Sequence, residues 1–186
     1  MRVGGRGDVT ETHRLWKISR GSNIPSPVYH KGRQLYGLYR GRDAMRRKGE
    51  VLVVEGYFDV IALQIAGFEN VVATCGTAMT EEHALLLKRY ARKVLFLFDQ
   101  DKAGMQATWK GMAQILPLGL SGAVVRLPQG DDPDSFLQRE GQQAFQACLE
   151  EARPVLEVYQ EQLLDWFAQY VLENGSTNGE EHTDDD

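Results

Sequence analysis

Short unbroken apolar runs alternate with stretches of helical spacing through the middle of this chain. Val51-Leu52-Val53-Val54 is one such run, ending at Glu55-Gly56. Phe58, Ile61, Ala62 and Ile65 then recur at helical spacing, and Gly67 marks the helix end. Val71-Val72-Ala73, within 70–74, predicts a second strand closed by Gly76. Thr80 suits the N-cap of a helix over 81–91, with Glu81 and Glu82 at its positive end and Lys88, Arg89 and Arg92 at its negative end. Residues 93–98 predict a third strand ending at Asp99. A helix over 103–115 follows, halted by Pro117, and a fourth strand over 123–127 is halted by Pro128. Continuous apolar strands separated by helices predict an α/β fold. Its core is a parallel sheet of about four strands with helices on both faces, joined by right-handed crossovers. Residues 141–172 read as helical throughout.

The flanks differ from this middle. Residues 1–33 are polar, basic and rich in Gly, Ser and Pro, and read as an arm or linker. Residues 34–140 form the α/β domain, and 141–172 a C-terminal helical segment. From Glu173 the chain holds six acidic residues, no basic ones and no large apolar residue, the composition of a disordered tail. Charge divides in the same way. The whole chain carries -5, but residues 1–50 hold 12 Lys+Arg against 4 Asp+Glu, and residues 51–186 hold 9 against 22. A basic front on an acidic body keeps a nucleic-acid partner open.

Cys75 and Cys148 lie far apart with no CxxC, which argues against a Cys-rich zinc module and against a disulfide scaffold. His13, His30, His83 and His182 share no metal-ligand spacing, so no zinc is expected. There is no signal-peptide pattern at the N-terminus and no apolar run of membrane-spanning length, so the expected location is cytoplasmic.

In parallel sheets the chemistry collects beyond the carboxyl ends of the strands. Glu55 ends the first strand, Asp99-Gln100-Asp101 the third, and Asp131, Asp132 and Asp134 follow the fourth. Clustered carboxylates raise one another's pKa unless a cation sits among them, and a hard divalent ion with oxygen ligands is the natural cation. Each acid alone also reads as a cap for the next helix, with Asp101 and Asp134 as candidates. Asp59 reads either as favourable charge at a helix N-terminus or as a carboxylate that orients Glu55 or its water. Gly56, Gly76 and Gly104 lie near the same edge, where glycine permits close approach and also serves turns. Lys31, Arg33, Arg40, Arg42, Arg46, Arg47 and Lys48 are interleaved with Tyr36 and Tyr39. This stretch reads either as a solvated basic helix or as a phosphate-attracting one. The two tyrosines read as core residues before stacking platforms.

VVEGYFDVIAL (53–63), CGTAMTEEH (75–83), FDQDKAG (98–104) and GDDPDSFL (130–137) resemble the TOPRIM domain of bacterial DNA primases of the DnaG type. VYHKGRQLYGLY (28–39) resembles the segment leading into that domain, and the likeness covers about 27–159. The resemblance implies catalytic roles for Glu55, Asp59, Asp99 and Asp101. It implies a magnesium or manganese site built from Glu55, Asp99, Asp101, Asp132 and Asp134, and contact of Lys31 and Arg33 with nucleotide or template. The implied activity is a nucleotidyltransferase, a DNA-directed RNA polymerase making RNA primers from NTPs on single-stranded DNA. The replicative helicase is the family's partner, but its binding domain has no counterpart here, nor does the family's zinc module. Residues 18–27 replace the family's Lys-Tyr-x-Asn-Ser-Pro-Glu-Thr stretch, with Ser19 about where its lysine stands. The likeness is thus to a truncated primase.

Two other functions fit the same residues: a stand-alone TOPRIM nuclease, and a non-catalytic nucleic-acid-binding module working through the basic arm. Leu163, Leu164, Trp166, Phe167, Tyr170 and Val171 are too apolar for a free helix. They are expected to pack on the sheet domain or on a second copy, giving self-association or a soft C-terminus.

Overall fold

The computed structural model describes residues 31–128 and 131–174. The basic arm over 1–30 and the acidic tail beyond 174 lie outside the described residues. After a 3-10 turn at Lys31–Arg33 come α1 (Leu38–Lys48), β1 (Glu50–Val54), α2 (Tyr57–Ile65), β2 (Val71–Ala73), α3 (Glu81–Lys88) and β3 (Lys93–Phe96). Then follow α4 (Lys102–Ile115), a 3-10 turn at Leu116–Leu118, β4 (Ser121–Val124), α5 (Pro133–Glu150), β5 (Arg153–Pro154) and α6 (Val155–Asn174).

The strands form one sheet in the order β2-β1-β3-β4-β5. Its first four members are parallel, as the apolar runs predict, with Val53 opposite Val72 and Phe96, and Phe96 opposite Val124. The fifth, β5, lies antiparallel to β4. It interrupts the segment expected to be helical throughout. Pro154 removes a helical donor, and the Arg153 backbone pairs with Val124 instead. At the other edge Tyr36 extends the sheet, exchanging two 3.0 Å backbone hydrogen bonds with Ala73.

Alternation along each strand builds two cores. Val51, Val53, Val94, Phe96 and Val124 face Met45 of α1, Leu87 of α3, Ile115 of α4, and Val155 and Val158 of α6. Leu52, Val54, Val71, Leu95 and Ala123 face Val60 and Leu63 of α2, and Phe136, Phe145 and Leu149 of α5. Side chains on both faces are therefore out of water, which explains why these strands are uniformly apolar. Gly122 and Gly111 let α4 sit close to the sheet: a Cβ at Gly122 would lie 2.6 Å from Met112 Sδ, and one at Gly111 2.7 Å from the Phe96 ring.

Helix α5 runs across residue 140 with a kink at Gly141, where φ is 82°. Helix α6 is anchored by Val155 and Val158 and by an edge contact of Tyr159 with Trp109 (4.9 Å), while Leu163, Leu164, Trp166, Phe167, Tyr170 and Val171 stay exposed. The expected packing of these residues on the sheet domain is thus not found. No described helix is long and apolar enough to cross a membrane.

Phe145 is fully buried between the Phe68 and Phe136 rings, at 4.7 and 6.3 Å. Phe145→Ala is expected to cost about 3–5 kcal/mol, read as a lower denaturant midpoint at unchanged m-value.

Candidate metal-binding and catalytic site

Strands β1 and β3 are central neighbours whose onward connections leave in opposite directions, to β2 and to β4. The crevice beyond their carboxyl ends is the topological switch point of the sheet. Glu55 follows β1 there and Asp99 lies three residues past β3; the Asp99 N–H donates to Glu55 Oε1 at 3.4 Å.

The remaining acids reach the crevice from helix N-termini, three of them as caps. Asp59 accepts from the Gly56 N–H through Oδ2 at 3.0 Å, closing the first turn of α2. Asp101 caps α4, its Oδ1 accepting from Gly104 at 2.7 Å. Asp132 caps α5, its Oδ1 accepting from the Ser135 N–H at 2.8 Å and the Ser135 hydroxyl at 2.9 Å. The cap of α5 is thus Asp132 rather than Asp134, which sits in the first helical turn. Capping uses one oxygen of each carboxylate and fixes where the other lies.

The charges act on one another across these elements. Burial, then the charges of Asp99, Asp101 and Asp59, push the Glu55 carboxyl above its ordinary value, against the opposing hydrogen bond from Asp99. Burial likewise raises Asp59, with Asp132, Asp99 and Asp134 adding to the shift and the Gly56 hydrogen bond opposing it. Asp132 is held below its ordinary value by the two Ser135 hydrogen bonds. Asp131 is lowered by its two hydrogen bonds from Arg139, which set it apart from this group as an ion pair.

Glu55, Asp59, Asp99, Asp101, Asp132 and Asp134 are therefore electrostatically one cluster. Among the described residues, however, no three His, Cys, Asp or Glu side chains are placed to hold an ion by themselves. Oxygen donors that repel one another without forming a closed cage suit a hard cation that takes one or two carboxylates and completes its shell with water and phosphate.

The basic residues stand apart. The backbone of Lys31 lies in the first 3-10 turn. Arg33 is exposed and pairs with Glu82 at 3.7 Å; among the described residues no ion pair joins it to the carboxylates. The turn is held by α3: the Thr80 hydroxyl donates to the Gly32 carbonyl at 2.6 Å and accepts from the His83 N–H at 3.2 Å. The buried His83 ring accepts from the Thr80 N–H through Nδ1 and meets the Gln34 carbonyl through Nε2 at 3.1 Å. The sequence shows Thr80 as a cap, but not the link to Gly32, 48 residues away.

Two further supports escape sequence reasoning. Gly104 packs beneath the Asp99 backbone, where a Cβ would lie 1.9 Å from the Asp99 carbonyl oxygen, so a larger residue would drive Asp99 from the crevice. Arg126, just past β4, shares a cavity of about 100 Å³ with Asp99 and Gln162. Tyr36 and Tyr39, read from sequence as core, are 45% and 78% exposed. Backbone pairing with Ala73 places Tyr36 at the open sheet edge, and Arg42 covers the Tyr39 ring at 4.3 Å.

This fold and site define a Toprim-like domain, and residues 52–137 match the Toprim-like family model. The chain is 47% identical over 143 residues to the DNA primase of Pseudomonas aeruginosa and 42% identical over 131 residues to that of Escherichia coli. These alignments cover 75% and 69% of this chain. Its structure resembles a crystallised DNA primase domain from Pseudomonas aeruginosa, with a TM-score of 0.69 at 45% identity over 76% of this chain and 45% of that one. It also resembles a DnaG primase catalytic domain bound to single-stranded DNA, with a TM-score of 0.70 at 38% identity over 77% of this chain and 46% of that one. Over its Toprim-like part the chain is homologous to DNA primases of the DnaG type. It spans 22% of the length of these two curated primases.

The raised carboxyls give a pH signature. An acid whose folded pKa lies above its unfolded value binds more protons when folded, so lowering the pH through that interval adds stability. Without divalent metal, Tm is expected to rise as pH falls from neutral toward the ordinary carboxylate range. Below that range it falls again, as Asp131 and Asp132 lose their hydrogen-bonded charge. Millimolar Mn2+ should flatten the upper limb, and Glu55→Gln should raise Tm at pH 7 in EDTA. Thermal melts across pH check all three; an upper limb unaffected by Mn2+ would remove the cation from the cluster.

Proposed function

We propose that this chain is the Toprim catalytic part of a DNA primase and carries metal-dependent nucleotidyl transfer, extending RNA primers from NTPs on single-stranded DNA. The observation that carries this reading is the convergence of Glu55, Asp59, Asp99, Asp101, Asp132 and Asp134 on the β1–β3 switch point. Residues 34–140 are the catalytic domain, 141–172 a helical segment following it, and 1–33 a basic arm toward template or nucleotide. The single-stranded DNA bound by the similar DnaG catalytic domain supports the same template class here.

Glu55, Asp99, Asp101, Asp132 and Asp134 are the residues that would hold Mg2+ or Mn2+. When bound, such ions activate a primer 3'-hydroxyl and neutralise the triphosphate. The chain's own groups prepare the place. Glu55 Oε1 is engaged by the Asp99 N–H, leaving Oε2 for a cation or a proton. Asp59 holds the Gly56 N–H, so Glu55 and the first turn of α2 keep one geometry. Asp101 and Asp132 seat the N-termini of α4 and α5 at the crevice, where helix dipoles favour phosphate. Lys31 and Arg33 are the proposed contacts for nucleotide or template, and Arg33 is exposed outside the acid cluster.

The test is primer synthesis with labelled NTPs on single-stranded DNA, run with and without a supplied N-terminal primase fragment. Primers are expected with Mg2+ or Mn2+, and none with EDTA. The Asp99→Ala, Asp101→Ala double variant should lose at least about a hundredfold in rate, since the bound metal contributes several kcal/mol. Nicked DNA without NTPs would favour a nuclease instead. DNA binding that survives both EDTA and the double variant, without synthesis, would favour a binding module.

The exposed face of α6 supports self-association. Leu163, Leu164, Trp166, Phe167, Tyr170 and Val171 are each 47–60% exposed on a helix of 20 residues. With Leu156 and Tyr159 they offer on the order of 800 Å² per copy, one side of a standard interface. Light scattering is expected to show a concentration-dependent dimer that the Leu163→Ser, Phe167→Ser variant abolishes. A monomer at all concentrations would exclude self-association through this face.

A further inference from the structure

We propose that Tyr36, Tyr57 and Phe58 form a base-stacking platform for single-stranded nucleic acid beside the carboxylate crevice; this rests on the nucleic-acid reading above. The three rings are contiguous: Tyr36 meets Tyr57 edge-on at 6.0 Å, and Tyr57 lies 4.4 Å from Phe58. They are 45%, 37% and 69% exposed. None belongs to either core cluster, because Val60 and Leu63 supply the buried side of α2. An exposed aromatic row that adds nothing to the core marks an interaction surface.

Its position selects the occupant. Tyr57 and Phe58 directly follow Glu55-Gly56 and precede Asp59, whose carboxylate holds the Gly56 N–H. A nucleic-acid strand passing here meets clustered negative charge, which repels its phosphates when no cation is bound. Stacking on a ring face does not depend on that charge and accepts any base. Phosphates on either side of the stacked bases need cations, and the chain supplies them next to Tyr36. Arg33 and Arg40, three residues before and four residues after Tyr36, are both exposed. Tyr36 is itself fixed by its two backbone hydrogen bonds to Ala73, so little freedom remains to be lost when a base docks.

The experiment uses the full chain in EDTA, with anisotropy titrations of a labelled oligothymidylate and of an abasic oligonucleotide of equal length and charge. The wild type is expected to bind the base-bearing strand about five- to a hundredfold more tightly for each base stacked. Tyr57→Leu, Phe58→Leu should bring that affinity down to the abasic level, with abasic binding, its salt slope and Tm unchanged. Phe58→Trp should keep the preference for bases. Equal wild-type affinity for both strands would overturn the platform while leaving the nucleic-acid reading intact; binding to neither would overturn both. A base preference that survives the double Leu variant would also overturn the platform. So would a change in oligomeric state in that variant without loss of the preference, which would assign the rings to contact with another copy.

Discussion

A parallel sheet buried on both faces has no room for a charge along its strands, and this constraint organises the rest of the molecule. Val51 to Val54 are at most 1% exposed, as are Val94 to Phe96. An ionised side chain at any of these positions would face several kcal/mol of desolvation without a partner. Polar chemistry is therefore displaced to the ends of the strands, and the carboxyl end receives it because the helices start there. Each helix opens with unpaired N–H groups and a positive dipole end, which draw acids to the same edge. The carboxylate cluster is in this sense a consequence of the layer architecture.

Capping and metal binding appear as rival explanations only when each acid is considered alone. In the assembled edge the two are compatible. Asp59, Asp101 and Asp132 each give one oxygen to a helix N-terminus, and that bond fixes the side chain without neutralising it. Glu55 and Asp99, the two acids at the strand ends, share the long Asp99 N–H bond. The crevice thus combines acids held by backbone with acids left more open. The raised Glu55 and Asp59 carboxyls express the cost of that crowding without a counter-charge. Under the proposed function, the same crowding would give a divalent cation its binding energy.

The four parallel strands, their helices and the clustering of acids were legible in the sequence because each depends on local pattern: apolar runs, helical spacing, and acids after strands. What was not legible depends on partners far along the chain. Strand β5 is two residues long and forms only because Arg153 meets Val124. Gly104 reads as one more glycine near a turn until the Asp99 carbonyl is found against it. The tyrosines were misassigned for a related reason. Tyr36 is next to Leu35, which is 7% exposed and does enter the core. In an extended segment the neighbouring side chain turns the other way. The capping of α5 fell to Asp132 rather than Asp134 because Pro133 suits the first helical turn, leaving the residue before it as the cap.

The separation of charge along the chain also acquires a spatial meaning. Among the described residues, the basic side chains of α1 run from the Tyr36 edge toward the start of β1, while the acids stand beyond the carboxyl ends of the strands. In α1 much of that positive charge is already engaged: Arg46 with Asp43, Arg47 with Glu69, and Arg42 on the Tyr39 ring. These exposed contacts are weak and screened by salt, so a phosphate can displace them at little cost. The acid cluster, by contrast, is anchored by backbone hydrogen bonds that salt does not readily exchange. Under the proposed function, exposed cations of α1 would attract nucleic acid, and the carboxylates held by backbone hydrogen bonds would form the site that acts on it.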